Sequence, residues 1–158
     1  MKNEYRTIIV YYTRFGNTRQ AAEAIREGIK EGGLDAECRE IKDVKPEDLA
    51  QYDVILVGTP THYGGMAEEI GKFFDASKEV EFKGKRTAAF DTRYEGEETG
   101  GLNELEKYMK KLGMEIILPG LAVLLPAGNA WGPLREGEIT KCKKFGESIA
   151  QKISGKKA

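Results

Sequence analysis

Apolar residues along the chain gather into short continuous runs, separated by longer stretches with a helical rhythm. The runs cover 7–12, about 34–41, 53–58, 86–91 and 116–125. Most are unbroken rather than alternating, which is the pattern of strands covered on both faces. Between them, apolar positions recur every three or four residues. Ala21, Ala22, Ile25 and Ile29 line one face of a helix over about 17–31 that stops at Gly32-Gly33. A short helical turn follows Pro46, whose fixed φ suits a helix start. Met66, Ile70, Phe73 and Phe74 mark a third helix, and Leu102, Leu105, Met109 and Leu112 a fourth that closes at Gly113. The last helix spans about 136–153, and the tail 154–158 is expected to fray. Strands alternating with helices give an α/β fold, a parallel sheet with helices on both faces.

Bulk properties narrow the function classes. With 158 residues the chain is expected to form one domain over 1–158, with its core over about 6–153. The net charge of −1 gives no reason to expect nucleic acid or an anionic membrane as partner. No apolar run approaches the roughly 18 residues of a membrane span, and the first six residues carry no leader pattern, so the expected location is the cytoplasm. Cys38 and Cys142 lie far apart with no C-x-x-C and read as reduced core thiols. With one histidine and two cysteines, no metal site is expected.

The chemistry concentrates in Thr13-Arg14-Phe15-Gly16-Asn17-Thr18, between the first strand and the first helix. Backbone N–H groups at a helix start have no intrahelical partner and, with the helix dipole, attract an anion. Thr13 and Thr18 add hydroxyls, Asn17 an amide, and Gly16 a close backbone approach. The hexapeptide reads as a phosphate cradle, against the plainer reading of a turn capped by Asn17 or Thr18. It has neither the lysine of a P-loop nor the spacing of G-x-G-x-x-G.

Thr-x-x-Gly-Asn-Thr directly after a first strand resembles the FMN-phosphate loop of flavodoxins. The resemblance extends over about residues 6–153, and Gly132 to Glu138 is similar to the final loop of that family. It implies a flavodoxin-like three-layer sandwich, a five-stranded parallel sheet of order 2-1-3-4-5, and non-covalently held FMN. In that order a ligand sits beyond the carboxyl ends of the strands, where the loops after strands 1, 3 and 4 meet.

The loop after strand 3 offers Pro60, Thr61, His62, Tyr63, Gly64 and Gly65. Tyr63 is expected to supply an aromatic face for a flat redox ring, and the Gly64–Gly65 peptide is, by position, the one that the family reorients on reduction. His62 reads either as a group bonded to the ring or as a solvent-facing residue. The loop after strand 4 offers Asp91, Thr92, Arg93, Tyr94 and Gly100. Tyr94 is expected to cover the other face, main-chain N–H groups at 92–94 to bond the ring edge, and Glu95, Glu97 and Glu98 to lower the last reduction potential modestly. Arg93 and Arg14 each have two readings, toward the cofactor or toward a neighbouring carboxylate or solvent.

Three functions follow in order of preference. The first is an FMN electron carrier with no catalytic side chain, exchanging electrons with a reductase and an acceptor protein. The second is a reductase of the same fold that takes NAD(P)H and passes electrons to a quinone or another small molecule; the sequence 58–66 is similar to the corresponding loop of flavodoxin-like NAD(P)H:quinone oxidoreductases. The third is a flavin-free binding module.

Overall fold

The structure, a computed structural model, describes residues 5–129 and 132–155. Of the tail expected to fray, 156–158 lie outside the described residues, while Ser154 still belongs to the last helix. Among the described residues, seven strands and four α-helices follow in the order β1 Thr7–Tyr11, α1 Asn17–Glu31, β2 Glu37–Glu40, β3 Val54–His62, β4 Gly65–Met66, α2 Glu68–Asp75, β5 Arg86–Tyr94, α3 Gly101–Lys111, β6 Glu115–Ile116, β7 Leu121–Leu125 and α4 Glu136–Ser154. The turn after Pro46 is a 3₁₀ helix over Pro46–Gln51.

The sheet runs β2-β1-β3-β5-β6, with β7 also on β5 and β4 folded back on β3. All pairings but β3–β4 are parallel. This is the expected doubly wound order, with two corrections to the strand count. The fifth strand is broken at Pro119-Gly120 into β6 and β7, because proline has no N–H for a ladder. Met66, expected on a helix, instead closes the β3–β4 hairpin, and α2 starts two residues later. Strand 2 is also shorter than its apolar run, at four residues.

The continuous run of β1 works as predicted. Ile9 and Tyr11 enter the layer formed with α1 and α4, while Ile8 and Val10 enter the layer formed with α2 and α3. Both faces of the strand are therefore dry, which requires apolar side chains at every position. Cys142 is wholly buried in the α1–α4 layer; burial pushes its thiol up to about 12 and that of Cys38 to about 11, so neither is a reactive thiolate.

Helices α1 and α4 touch through backbone. A Cβ on Gly28 would lie 2.0 Å from the Lys143 carbonyl oxygen, and one on Gly146 would lie 2.1 Å from that of Ile25. No rotamer change relieves such a clash. We therefore expect Gly146→Ala to destabilise the fold by about 1–3 kcal/mol. Gly137→Ala, in the same helix with nothing within 4 Å of its Cβ, is expected to stabilise by about 0.5–1 kcal/mol. Urea denaturation of both variants checks the pair.

Candidate functional site

At the carboxyl end of the sheet, where chain order reverses between β1 and β3, the strand ends open onto a cavity of about 180 Å³. Its walls come from three places. The β1–α1 loop gives Thr13, Arg14, Phe15, Asn17 and Thr18; the end of β3 gives Pro60, Thr61 and His62; the end of β5 and its loop give Thr92, Arg93, Tyr94 and Glu97, with Leu125 from β7 behind them.

The floor is an open helix end. Gly16, at φ 96°, turns the chain into α1 in a conformation that side chains disfavour. Its N–H donates to Thr13 Oγ1 at 2.9 Å, curling the loop, and its carbonyl accepts the first intrahelical bond from Gln20. The side-chain cap of the plainer reading does not form, and the first turn holds no acidic residue. The positive end of a fifteen-residue helix thus faces the cavity without a carboxylate in its own first turn to neutralise it. Asn17 and Thr18 are buried, and Thr18 Oγ1 shares a 3.0 Å hydrogen bond with Thr92 Oγ1. That contact fixes the helix start against the end of β5.

One wall is the β3–β4 hairpin. Thr61 pairs with Met66 and His62 with Gly65, leaving Tyr63 and Gly64 as the two turn residues, at φ 52° and 76°. Positive φ at both is what a type I′ turn requires. Two clamps hold the hairpin: Ala67 N–H donates to the buried Thr59 hydroxyl, and Met66 N–H to Glu104 Oε1 on α3, each at 2.8 Å. Tyr63 is fully exposed at the tip and does not line the cavity. His62 does line it, and its ring meets Tyr12 edge-on at 6.2 Å.

The opposite wall rests on a buried carboxylate. Asp91 has no exposed surface; its Oδ2 accepts bonds from Arg93 Nη2 at 2.9 Å, Leu102 N–H at 3.2 Å and Thr61 Oγ1 at 3.3 Å. Burial pushes its pKa up, and Arg93 and the hydrogen bonds pull against that. Arg93 also donates to the Glu98 carbonyl, so its charge serves the wall. A Cβ on Gly100 would fall 2.2 Å from Asp91 Oδ2; only glycine leaves the carboxylate its place. Asp91 and Gly100 therefore support the site from behind and do not line it.

Two of the three glutamates of this loop engage their carboxylates, and the third only its main chain. Glu95 pairs with Arg135, Glu97 accepts the Tyr94 N–H at 2.8 Å, and Glu98 offers its carbonyl to Arg93. The Tyr94 N–H is consequently not free for a ligand edge. Tyr94 itself lines the cavity and leans on the α1–α4 core layer. Glu97, expected beside the ring as a charge but not as a binding residue, lines the cavity as well, and so does Leu125, which was not expected at the site. A leucine at the last position of a strand, just before Pro126, is the one signal that pointed to Leu125.

Behind the hairpin lies a second recess, lined by Tyr12, Tyr63, Met66, Glu68 and Glu69, that shares Arg14 and His62 with the first. The Arg14 guanidinium sits 5.2 Å over the Phe15 ring.

An open helix end, two strand termini and an aromatic wall define a doubly wound α/β protein with its cleft at the switch point of the sheet. The flavodoxin family model matches residues 9–130, and the chain belongs to that family. It is 31% identical to a flavodoxin of Clostridium saccharobutylicum over 92% of this chain and 95% of the relative. It is 28% identical to an NAD(P)H dehydrogenase (quinone) of Gluconacetobacter diazotrophicus, over 97% of this chain and 86% of that one. Among solved structures it matches a flavodoxin from the domain Archaea at 29% identity and a TM-score of 0.80, over 94% of this chain and 99% of that one.

The Asp91–Arg93 pair yields a prediction. Arg93→Ala leaves a buried carboxylate without its cation and is expected to cost about 3–5 kcal/mol at pH 7. The sign of the pH dependence follows from the raised pKa. A folded state that binds the proton more tightly than the unfolded chain gains from acidification. The deficit of Arg93→Ala should therefore be largest at neutral pH and shrink as pH falls toward about 4, the ordinary aspartate range. Denaturant unfolding at a series of pH values checks it; a deficit constant with pH would contradict it.

Proposed function

We propose that this protein is an electron carrier that works with FMN bound in the cleft. The observation that carries the reading is the uncapped, acid-free first turn of α1 at the base of a cavity walled by Tyr94. The donor set fits the group. Main-chain N–H groups of the first turn, the Thr13 and Thr18 hydroxyls and the Asn17 amide are all neutral donors suited to a phosphate dianion. Tyr94 would cover one face of the ring, and the chain from Pro60 to His62 would form the other wall. When bound, FMN supplies one- and two-electron chemistry; the protein supplies binding, orientation and exclusion of water.

The hairpin supports a more particular assignment. The middle peptide of a two-residue turn, Tyr63–Gly64, lies outside the ladder bonds that hold His62 and Gly65. It turns over at the least cost, so it replaces Gly64–Gly65 as the peptide assigned to reorientation. With Glu95 and Glu97 engaged, the acidic loop contributes less to lowering the potential than their sequence suggests.

A second reading is favoured by one observation: the recess behind the hairpin adjoins the cleft through Arg14 and His62 and gives room for a second reactant. Together with the likeness to an NAD(P)H dehydrogenase (quinone), it supports a reductase that takes NAD(P)H and reduces a quinone. For the carrier, redox partner proteins take that place.

The test is a potentiometric titration of the FMN-loaded protein. The carrier reading expects two resolved one-electron steps and no NADPH–quinone turnover above that of free FMN. A single two-electron step with rapid turnover by the protein alone would replace it with the reductase. Tyr94→Ala is expected to weaken FMN binding by about tenfold, as loss of an aromatic contact implies, and Tyr63→Ala by much less; fluorescence titration reads both.

A further inference from the structure

The β3–β4 hairpin is short, and its two cross-strand pairs, Thr61–Met66 and His62–Gly65, are held in different ways. In an antiparallel ladder, pairs that exchange backbone hydrogen bonds alternate with pairs that do not. A two-residue turn closes on a bonded pair, so His62–Gly65 is the bonded one and Thr61–Met66 is not. The Met66 N–H therefore points away from β3. One turn of helix supplies what that pair lacks. Gly101 N–H, at the start of α3, donates to Thr61 Oγ1 at 3.1 Å. Glu104 Oε1, in the same first turn, accepts the Met66 N–H at 2.8 Å. Both members of the pair are thus fastened to α3, and Gly101 packs so closely that a Cβ there would lie 2.9 Å from Met66 Cα.

The Glu104 bond lies at the surface, where water would satisfy the Met66 N–H equally well. The neighbouring Ala67 N–H is buried on Thr59 and has no such alternative. The carboxylate therefore adds little to the stability of the fold. What it fixes is the place of the return strand, just after a turn whose Tyr63 stands at φ 52°. Gly65 belongs to the same arrangement. Its φ lies outside the left-handed region, so its backbone does not call for glycine. A Cβ on it would nevertheless fall 2.6 Å from Glu104 Oε1, while the next atoms, Glu104 Cδ and the His62 carbonyl oxygen, are at 3.7 Å. Glycine at 65 answers to the carboxylate alone.

We propose that Glu104 is a positioning residue: by holding Met66 it seats the β3–β4 hairpin against α3 and sets the resting conformation of the Tyr63–Gly64 turn. Its consequence for electron transfer rests on the FMN reading; its geometry rests on the hairpin alone. Without Glu104, the return strand keeps its backbone bonds at the His62–Gly65 pair and loses its outer anchor. Turn and ladder then loosen together. A loosened turn must be ordered again whenever it bonds the ring, which costs entropy.

The experiment uses the full chain, first without FMN and then loaded with it. Amide hydrogen exchange is followed in the natural protein, Glu104→Ala, Glu104→Gln and Gly65→Ala. Loss of a mere surface bond would speed exchange of the Met66 amide alone. In Glu104→Ala the His62 and Gly65 amides are expected to exchange at least tenfold faster as well, while those of Ile55 and Val57, buried in β3, stay unchanged. Glu104→Gln keeps an acceptor oxygen and is expected to behave as the natural protein. Gly65→Ala displaces the carboxylate and is expected to reproduce the faster His62 exchange, with no further gain when combined with Glu104→Ala. In the loaded protein, the two one-electron steps are expected to draw closer in Glu104→Ala, by at least tenfold in the equilibrium constant between them, and to stay in place in Glu104→Gln. Faster exchange at Met66 alone, or faster exchange that extends to Ile55 and Val57, would overturn the inference. So would unmoved or more widely separated steps in Glu104→Ala, or a Glu104→Gln variant that follows Glu104→Ala, which would make charge and not the bond the agent. A natural protein that takes up no FMN would remove the electron-carrier reading, and the exchange pattern alone would then decide whether Glu104 seats the hairpin.

Discussion

A fifteen-residue helix that begins at a glycine presents its N-terminal end, short of a side-chain cap, to the carboxyl end of the sheet. The rest of the site is arranged around that deficit. With glycine as its N-cap, such a helix start is weaker by roughly a few tenths of a kcal/mol than one capped by serine, threonine or aspartate. Asn17 and Thr18, the residues best able to cap, lie one and two positions too late and are buried. Thr18 shares a hydrogen bond with Thr92, in which either hydroxyl can donate, and so ties the helix start to the end of β5. The chain thereby forgoes local helix stability and keeps a preorganised concentration of donors, which is the arrangement an anionic ligand completes.

Around the open turn, polar groups that strands normally exclude have become part of the sheet. Thr59, Asp91 and Thr92 are buried in β3 and β5, and each is satisfied by a named neighbour. Asp91 joins Thr61 on the hairpin side, Arg93 on its own strand and the first turn of α3. The two walls of the cleft are thus one hydrogen-bonded body. Gly100 exists at its position because the carboxylate needs the space. Such fully satisfied networks are costly to interrupt and fix geometry tightly, which suits a cofactor whose surroundings set its potential.

Much of this was legible in the residue pattern, and the failures share one cause. The two-faced burial of the sheet and the helix over Asn17–Glu31 followed from periodicity, and the strand order from the resemblance carried by Thr-x-x-Gly-Asn-Thr. Strand ends did not. β3 runs on to His62 and β5 to Tyr94, because Thr59, Asp91 and Thr92 keep ladder positions through tertiary hydrogen bonds that no local window reveals. The residues expected in loops therefore project from strand termini, a more rigid platform. The hairpin was hidden for a different reason: Gly64-Gly65 reads as generic turn, and only pairing to Thr61 and His62 makes Gly65-Met66 a strand. Tyr63, which the pattern offered as a stacking face, occupies a turn position at positive φ and points to solvent. The fates of Arg93 and Glu95 likewise depended on partners distant in sequence or hidden in the fold, Asp91 in one case and Arg135 in the other.

The decisive quantity is how much affinity the terminal phosphate contributes. Isothermal titration of the folded protein with FMN and, separately, with riboflavin isolates it, because the two ligands share the ring and differ in the dianion. Two charge-assisted hydrogen bonds at about 1.5–3 kcal/mol each make FMN the tighter ligand by at least about 100-fold. Equal affinities for the two, or uptake of neither, would contradict the assignment of residues 13–18 as the anchor on which the cleft is built.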